Sequence, residues 1–343
     1  MTFGYGMIGS GNMGLVYAEA LATQVPDGRL VAITGGSRAG SLAAEYGVPT
    51  DDSVEALLAR PDVDGVIVAT PHTTHLPYTR AAAEAGKHVF CEKPMAVTVE
   101  ECDGMLAACR KAGVQLAVAS QSRENPMLIE AKRLVDEGAV GEIRMVRVLS
   151  STVGWDVGDL SWIEDPAEGG AFLDWGVHGM DALTWLTGSR ATRVFATFAS
   201  YGGRPIPDIS AMVQYELASG AMVQVWMSYE FPPPGLGSNL QLLLVGDKAM
   251  LDVDRYSLKL GDAAGWTEVS SWEPWDWTSD PKNPRRIGTS ARLVQDFAAT
   301  ILAGGEHTHT AVKGRVNVEL VDYARRSAAT HQAVEIPDAD GRV

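Results

Sequence analysis

The chain has 343 residues, with 43 acidic side chains against 28 Lys and Arg, a formal charge of −15. At 46% hydrophobic and 21% charged content it has the composition of a soluble globular protein, with length for two domains of roughly 100–200 residues each. So negative a mean field argues against nucleic acid and membrane-surface partners, while helix ends and backbone amides can still hold an anionic cofactor. Cys91, Cys102 and Cys109 are too few for a disulfide framework and read as reduced thiols of a cytoplasmic protein. The N-terminus enters a strand pattern without a basic, apolar leader, and no apolar run reaches the roughly 18 residues of a membrane span.

Thr2–Ile8 reads as a buried strand. It leads into Gly9-Ser10-Gly11-Asn12-Met13-Gly14 and then the helical run Leu15–Thr23, with a second strand at Arg29–Thr34. This is G-x-G-x-x-G between a strand and a helix. The first glycine permits the turn, the second lets a pyrophosphate approach the backbone, and the third lets helix pack on strand. Gly9, Gly11, Asn12 and Met13 are therefore cofactor-binding candidates. A carboxylate for the ribose 2′-hydroxyl is expected about 20 residues past the glycines. The chain has Thr34-Gly35-Gly36-Ser37-Arg38 instead. Ser37 can donate to a 2′-phosphate and Arg38 can pair with it, which favours NADP over NAD.

The alternation continues. Asp52 and Glu55 suggest a capping box before a helix over 54–59. The buried strand Gly65–Ala69 ends in Thr70-Pro71-His72-Thr73-Thr74-His75, followed by a helix to Ala85. Ligands bind at the strand ends of open parallel sheets, so Thr70, Pro71, His72 and His75 join the cofactor-binding candidates. His72 and His75 lack the Cys, Asp or Glu that would complete a metal site, so no metal is expected. A short strand, His88–Cys91, ends in Glu92-Lys93-Pro94. Proline biases Lys93 towards an extended conformation at the strand end, where its amine can stabilise an alkoxide. Thr98 and Glu101 form a capping box for a helix to Ala112, and Gln115–Ala119 is the last strand of this half.

In the second half, Asn125-Pro126 caps a helix to Glu137. A strand at Ile143–Ser151 starts a second sheet. Residues 155–168 form a loop in which Trp155 and Trp162 offer flat apolar surfaces for sugar C–H faces. Next comes Gly169-Gly170-Ala171-Phe172-Leu173-Asp174-Trp175-Gly176-Val177-His178-Gly179-Met180-Asp181. Asp174 and His178, four apart, share one helix face, so the carboxylate can hold the imidazole as a general base. The two glycines let a ligand or another backbone come close.

The series G-x-G-x-x-G, Thr-Pro-x-x-x-His, Glu-Lys-Pro and Gly-Gly-x-x-x-Asp-x-Gly-x-His-x-x-Asp resembles the Gfo/Idh/MocA family of NAD(P)-dependent sugar and polyol oxidoreductases. The resemblance implies a doubly wound Rossmann domain, drawn here as 1–120. It also implies a substrate-binding and oligomerisation domain, 121–343, built on a large, mostly antiparallel sheet. It implies a catalytic group of Lys93, Asp174 and His178, with Glu92 and the Thr70–His75 turn lining the nicotinamide ribose. Three positions depart from the family pattern: Gly35, where an acid is common, His72, where Asn is common, and Gln121-Ser122-Arg123, where Asn-Arg-Arg is common. Arg123 is carried over as substrate-binding and Gln121 as cofactor-binding.

Strand patterns follow at 192–200, 209–217, 222–231, 240–245 and 249–253, with a hairpin turn at Ser219-Gly220. Both faces of 222–231 are largely apolar, which predicts a homo-oligomer, dimer or tetramer, through the sheet. Helices are expected over 291–302 and 316–330, with His307 and His309 exposed between them. The chain reads as a dehydrogenase acting on a carbinol. His178 takes the hydroxyl proton, Asp174 orients the imidazole or bonds a neighbouring hydroxyl, and Lys93 stabilises the alkoxide. Two alternatives use the same scaffold: an NAD-dependent glycosidase working by transient oxidation, and a non-catalytic cofactor-sensing regulator.

Overall fold

A computed structural model gives the fold for residues 2–153, 163–203, 205–232, 235, 239–275, 280–307 and 309–338. Trp155 and Trp162 lie outside the described residues. The chain divides into two compact units, Met1–Glu124 with Trp275–Arg315, and Asn125–Pro274 with Val316–Val343.

In the first unit β1 (Phe3–Ile8), β2 (Gly28–Thr34), β3 (Gly65–Val68), β4 (His88–Cys91) and β5 (Leu116–Val118) form a sheet of order β2-β1-β3-β4-β5. All neighbours are parallel. The crossovers are α1 (Asn12–Thr23), α2 (Ala39–Tyr46), α3 (Val54–Leu58), α4 (His75–Glu84) and α5 (Val99–Ala112). Every residue of β1 is buried, as expected of a strand covered on both faces. β1 is also where the winding reverses, so its C-terminal end opens onto the crevice in which such sheets bind ligands. The capping box of α5 forms as read. That of α3 does not: Ser53, not Asp52, accepts from the amide of Ala56 at 3.1 Å.

The second unit contains α6 (Pro126–Asp136), β6 (Ile143–Val153), α7 (Gly170–Thr187), β7 (Ala191–Ala199), β8 (Ser210–Leu217), β9 (Met222–Phe231), β10 (Leu240–Gly246), β11 (Met250–Asp254), β12 (Ser257–Asp262) and β13 (Gly265–Ser271). The chain then forms α8 (Pro284–Leu302), α9 (His309–Thr330) and β14 (Val334–Glu335). The second sheet has nine strands, ordered β13-β12-β11-β10-β6-β9-β8-β7-β14. Its pairs are antiparallel except β6 with β9. One face of β9 buries Val223, Val225 and Met227, while Met222 and Trp226 on the other are 57% and 41% exposed. α7 packs close on this sheet because Gly179 has no side chain: a Cβ there would lie 2.8 Å from Val148 Cγ1.

Five features differ from the sequence reading. β12 and β13 were not foreseen, because nearly all of β13 is exposed and carries no apolar period to read. α8 begins at Pro284 rather than 291, capped by Asn283, because its first turn is polar. α9 begins at His309 rather than 316. The segment from Trp275 to Arg315 groups with the first unit rather than with the rest of 121–343. The reason is Phe297 of α8, which meets Phe3 and Phe90 with ring centroids 6.1 and 5.8 Å apart, while Tyr5 donates to Val294 O at 2.5 Å. His307 is buried rather than exposed. Its Nε2 lies 2.7 Å from Asp296 Oδ2 and its ring meets Phe297.

Candidate active site

The glycine turn after β1 has the form a dinucleotide needs. Gly9 is at φ +112°, and a Cβ there would lie 2.2 Å from Ala69 O. A Cβ on Gly14 would lie 2.5 Å from Gly9 O, so this glycine lets α1 sit against the strand. Gly11, the N-cap of α1, faces open space: a Cβ there would meet nothing within 4 Å. Two glycines thus permit the fold and the third leaves room over a helix N-terminus that carries no acid in its first turn. The residues fit a pyrophosphate, which Gly11, Asn12 and Met13 would hold through backbone amides.

At the end of β2, Gly35 and Gly36 have φ of +77° and +80°. An acid at Gly35 would be strained. A Cβ on Gly36 would lie 2.4 Å from Ser10 Oγ, so the β2 loop rests directly on the glycine turn. Arg38 folds back on the same turn, its amide donating to Ser10 Oγ at 3.2 Å and its Nε to Ser10 O at 3.0 Å. Both Ser37 and Arg38 are exposed. This corner therefore holds a guanidinium beside the glycine turn and no acidic residue in the segment 34–38.

The ends of β3 and β4 are tied together by His75. It is completely buried, with Nδ1 3.0 Å from Pro94 O and Nε2 3.0 Å from Thr70 O. A ring closed off in this way cannot touch a cofactor, so His75 is a positioning residue that links the loops carrying Thr70 and Lys93. Burial first, then His72, lowers its pKa to about 4, outweighing the carbonyls that favour the cation. His72 is also buried, its ring 5.9 Å from that of His75. Thr74 Oγ1 donates within the turn, to Thr70 Oγ1 at 2.7 Å or Pro71 O at 2.6 Å, and Pro71 is exposed.

Glu92 is buried beside Lys93. Its Oε1 accepts from the hydroxyl of Tyr17 and, at 3.0 Å, from Gln121 Nε2; its Oε2 accepts from the Lys93 amide at 3.0 Å. Burial pushes the Glu92 carboxyl up, and the Lys93 charge opposes that shift. Tyr17 is raised well above its usual range by burial and then by Glu92. Lys93 is half-buried, with a cis peptide to Pro94. The Gln121 Oε1 atom is buried without a hydrogen-bond partner among the described residues, an acceptor for a donor such as a ribose hydroxyl. Arg123 is half-buried in the same 3-10 turn, Gln121–Glu124.

In the second unit the helix α7 carries Asp174 and His178 on one face, 7% and 8% exposed. Asp174 Oδ2 accepts from the hydroxyl of Tyr229 on β9 at 2.7 Å. Burial pushes the Tyr229 hydroxyl well up, with the Asp174 charge adding to it, so it remains a donor at neutral pH. The Trp175 ring meets His178 edge-on at 4.9 Å and lies 6.3 Å from Tyr229. Asp181 is buried and accepts from Asn317 Nδ2 at 3.3 Å, a structural tie rather than part of the pair.

The close neighbour at Gly170 is neither a ligand nor another backbone but a carboxylate of the protein itself. A Cβ on Gly170 would lie 2.4 Å from Asp208 Oδ1, which instead accepts from the Ala171 amide at 2.9 Å and caps α7. Arg325 lies 3.4 Å from Asp208 Oδ2 and donates to Gly169 O. Tyr17, Tyr229 and Asp208 escaped the sequence reading. The two tyrosines occupy ordinary core positions of a helix and a strand, and Asp208 lies 37 residues from its partner Ala171, with no local pattern.

Comparison with known proteins identifies the family. Residues 3–120 match the model of the oxidoreductase family with an NAD-binding Rossmann fold, and residues 128–252 match the GFO/IDH/MocA C-terminal domain. The chain is 27% identical to inositol 2-dehydrogenase of Rhizobium meliloti, covering 98% of this chain and 100% of the relative. It is 31% identical to D-xylose 1-dehydrogenase (NADP(+)) 2 of Haloferax volcanii, covering 97% and 99%. Among solved structures, aldose-aldose oxidoreductase from Caulobacter crescentus, complexed with glycerol, superposes with a TM-score of 0.84 at 25% identity, over 98% of this chain and 100% of that one. The chain belongs to the Gfo/Idh/MocA family and is an NAD-binding oxidoreductase acting on CH–OH groups.

Proposed function

We propose that the protein transfers hydride between a nicotinamide dinucleotide and a carbinol carbon of a sugar, polyol or inositol-like ring. The observation that carries this reading is the buried Asp174–His178 pair on one face of α7, with Tyr229 fixing the carboxylate. The relatives named for inositol and xylose support the substrate class. When bound, the dinucleotide supplies the hydride acceptor for oxidation and the donor for reduction. His178 takes the hydroxyl proton as the carbinol is oxidised and returns it in the reverse direction. Asp174, held by Tyr229, keeps a fixed negative charge near the imidazolium that forms. Lys93 stabilises the developing alkoxide, and Glu92, held by Tyr17 and Gln121, fixes the Lys93 backbone.

The cofactor preference is NADP over NAD, supported by Arg38 beside the glycine turn and by the lack of an acid at Gly35. The protein is further read as a homo-oligomer through the open face of the nine-stranded sheet, and as cytoplasmic, consistent with three buried free thiols. No described helix is long and apolar enough to cross a membrane.

The test is direct. His178→Ala and Lys93→Ala should each lose about 10²–10⁴-fold in turnover on a polyol or sugar substrate, with cofactor affinity retained. Nicotinamide absorbance measures the first and fluorescence titration the second. Near-normal turnover in both variants would end the proposal.

A further inference from the structure

The indole of Trp175 neighbours both His178 and a cation that the proposed chemistry does not use. Its ring meets His178 at 4.9 Å, and the guanidinium carbon of Arg255 stands 5.7 Å from the Trp175 ring centroid. The indole is held by its own N–H, which donates to Asn239 O at 3.2 Å. Arg255 follows β11 in a turn whose backbone is tied down twice. Its carbonyl accepts from Asn125 Nδ2 at 3.1 Å and from Trp272 Nε1 at 2.7 Å. Asn125 at the same time caps α6 through its Oδ1. The arginine thus springs from a fixed point and lies against a fixed ring.

Among the described residues the cation has no counter-charge of the kind such a setting calls for. The adjacent Asp254 is committed elsewhere: its Oδ1 accepts from the amides of Tyr256 and Ser257 at 2.6 and 2.7 Å. Among the described residues no carboxylate pairs with Arg255, although the chain carries a formal charge of −15. Burial disfavours its charge, and Tyr256 opposes that shift. A desolvated guanidinium is costly unless something anionic meets it, and its planar fork matches a carboxylate. A dianionic phosphate calls for several donors, whereas a single guanidinium suits one carboxylate. His178 and Arg255 neighbour the same indole, so a substrate whose reacting hydroxyl meets His178 has a guanidinium at the far side of one aromatic contact.

We propose that Arg255 is a specificity residue that binds a substrate carboxylate, and that the preferred substrate is a sugar acid, aldonic or uronic, rather than its neutral counterpart. This rests on the reading of His178 as the group at the reacting carbinol.

The test uses matched pairs that differ only at the terminal carbon: D-gluconate with D-glucitol, D-glucuronate with D-glucose, and D-galacturonate with D-galactose. With the full chain and saturating NADP, kcat/KM should favour the acid of at least one pair by about 10–100-fold, mostly through KM. Arg255→Met should bring that ratio close to one, and Arg255→Lys should keep part of it. A merely structural role for the arginine would lower both members of a pair together and leave the ratio in place. Preference for the neutral members, or for glucose 6-phosphate over all three acids, would overturn the proposal. Calorimetric titration of the three acids into the NADP-loaded protein separates the two levels. An acid that binds in an Arg255-dependent way without turnover would leave the carboxylate site standing and sink the hydride-transfer reading. Absence of binding by all three acids would sink the carboxylate site alone.

Discussion

His75 shows how one side chain can couple the site to pH without taking part in chemistry. Its folded pKa of about 4 lies below the ordinary 6.5, so between those values the unfolded chain takes up a proton that the folded chain refuses. Stability contributed above pH 6.5 is therefore lost as the pH falls towards 4, by up to about 3 kcal/mol from this residue. Thermal unfolding followed across that window should show a fall in Tm that is shallower in His75→Gln. Identical slopes in the two proteins would remove His75 as the cause. Arg38 makes a second prediction at this scale. Arg38→Ala should raise KM for NADP about 10-fold or more and leave KM for NAD little changed, because the proposed partner of the guanidinium is the 2′-phosphate that NAD lacks. Equal effects on both cofactors would cancel the assignment. Both predictions were partly legible beforehand: Arg38 from the lack of an acid near the second strand end, and His75 only as a residue near the cofactor. Its burial depends on Pro94 and Met95, which follow a different strand, and no spacing in the sequence announces that contact.

At the scale of elements, α7 is the part most exposed to disturbance at its start. Gly169 and Gly170 have φ of +86° and +75°, and Asp208 fills the space a side chain on Gly170 would need. Gly170→Ala should cost about 1–3 kcal/mol, from left-handed backbone strain and displacement of the capping carboxylate. Because the same helix carries Asp174 and His178, kcat should fall as well. Chemical denaturation and steady-state kinetics measure the two effects, and a variant as stable as the parent would contradict the capping role. The helix, its glycines and its Asp-x-x-x-His face could be read from sequence because each is a local pattern. What fixes the helix could not. Asp208, Arg325 and Tyr229 come from distant segments, so their roles exist only once the chain is folded. β13 was missed for the opposite reason: an exposed edge strand has no need of an alternating apolar pattern.

At the scale of the whole molecule, the nine-stranded sheet leaves one face with large apolar side chains in the open. Met145, Met222 and Trp226 are 50%, 57% and 41% exposed, and the register sets Met145 against Met222 and Trp226 against Met212. Contiguous apolar surface of this kind marks an association face. Sedimentation velocity at micromolar concentration should find a dimer or tetramer, and Met222→Lys combined with Trp226→Lys should dissociate it. A monomeric parent protein would refute the reading. The family and both sheets were within reach of the sequence, since ordered motifs and strand periods carry that information. The interruption of the first unit was not, because the helix that completes it follows nearly three hundred residues after β1 begins.

That interruption bears on the order in which the protein is made. Phe3, Tyr5 and Phe90 are translated early, yet the helix that covers them ends at Leu302. While the ribosome is still threading out the nine-stranded sheet, the dinucleotide unit waits with an uncovered aromatic flank. Its assembly is thus a late, near-terminal event of synthesis, even though its sequence is the first to emerge.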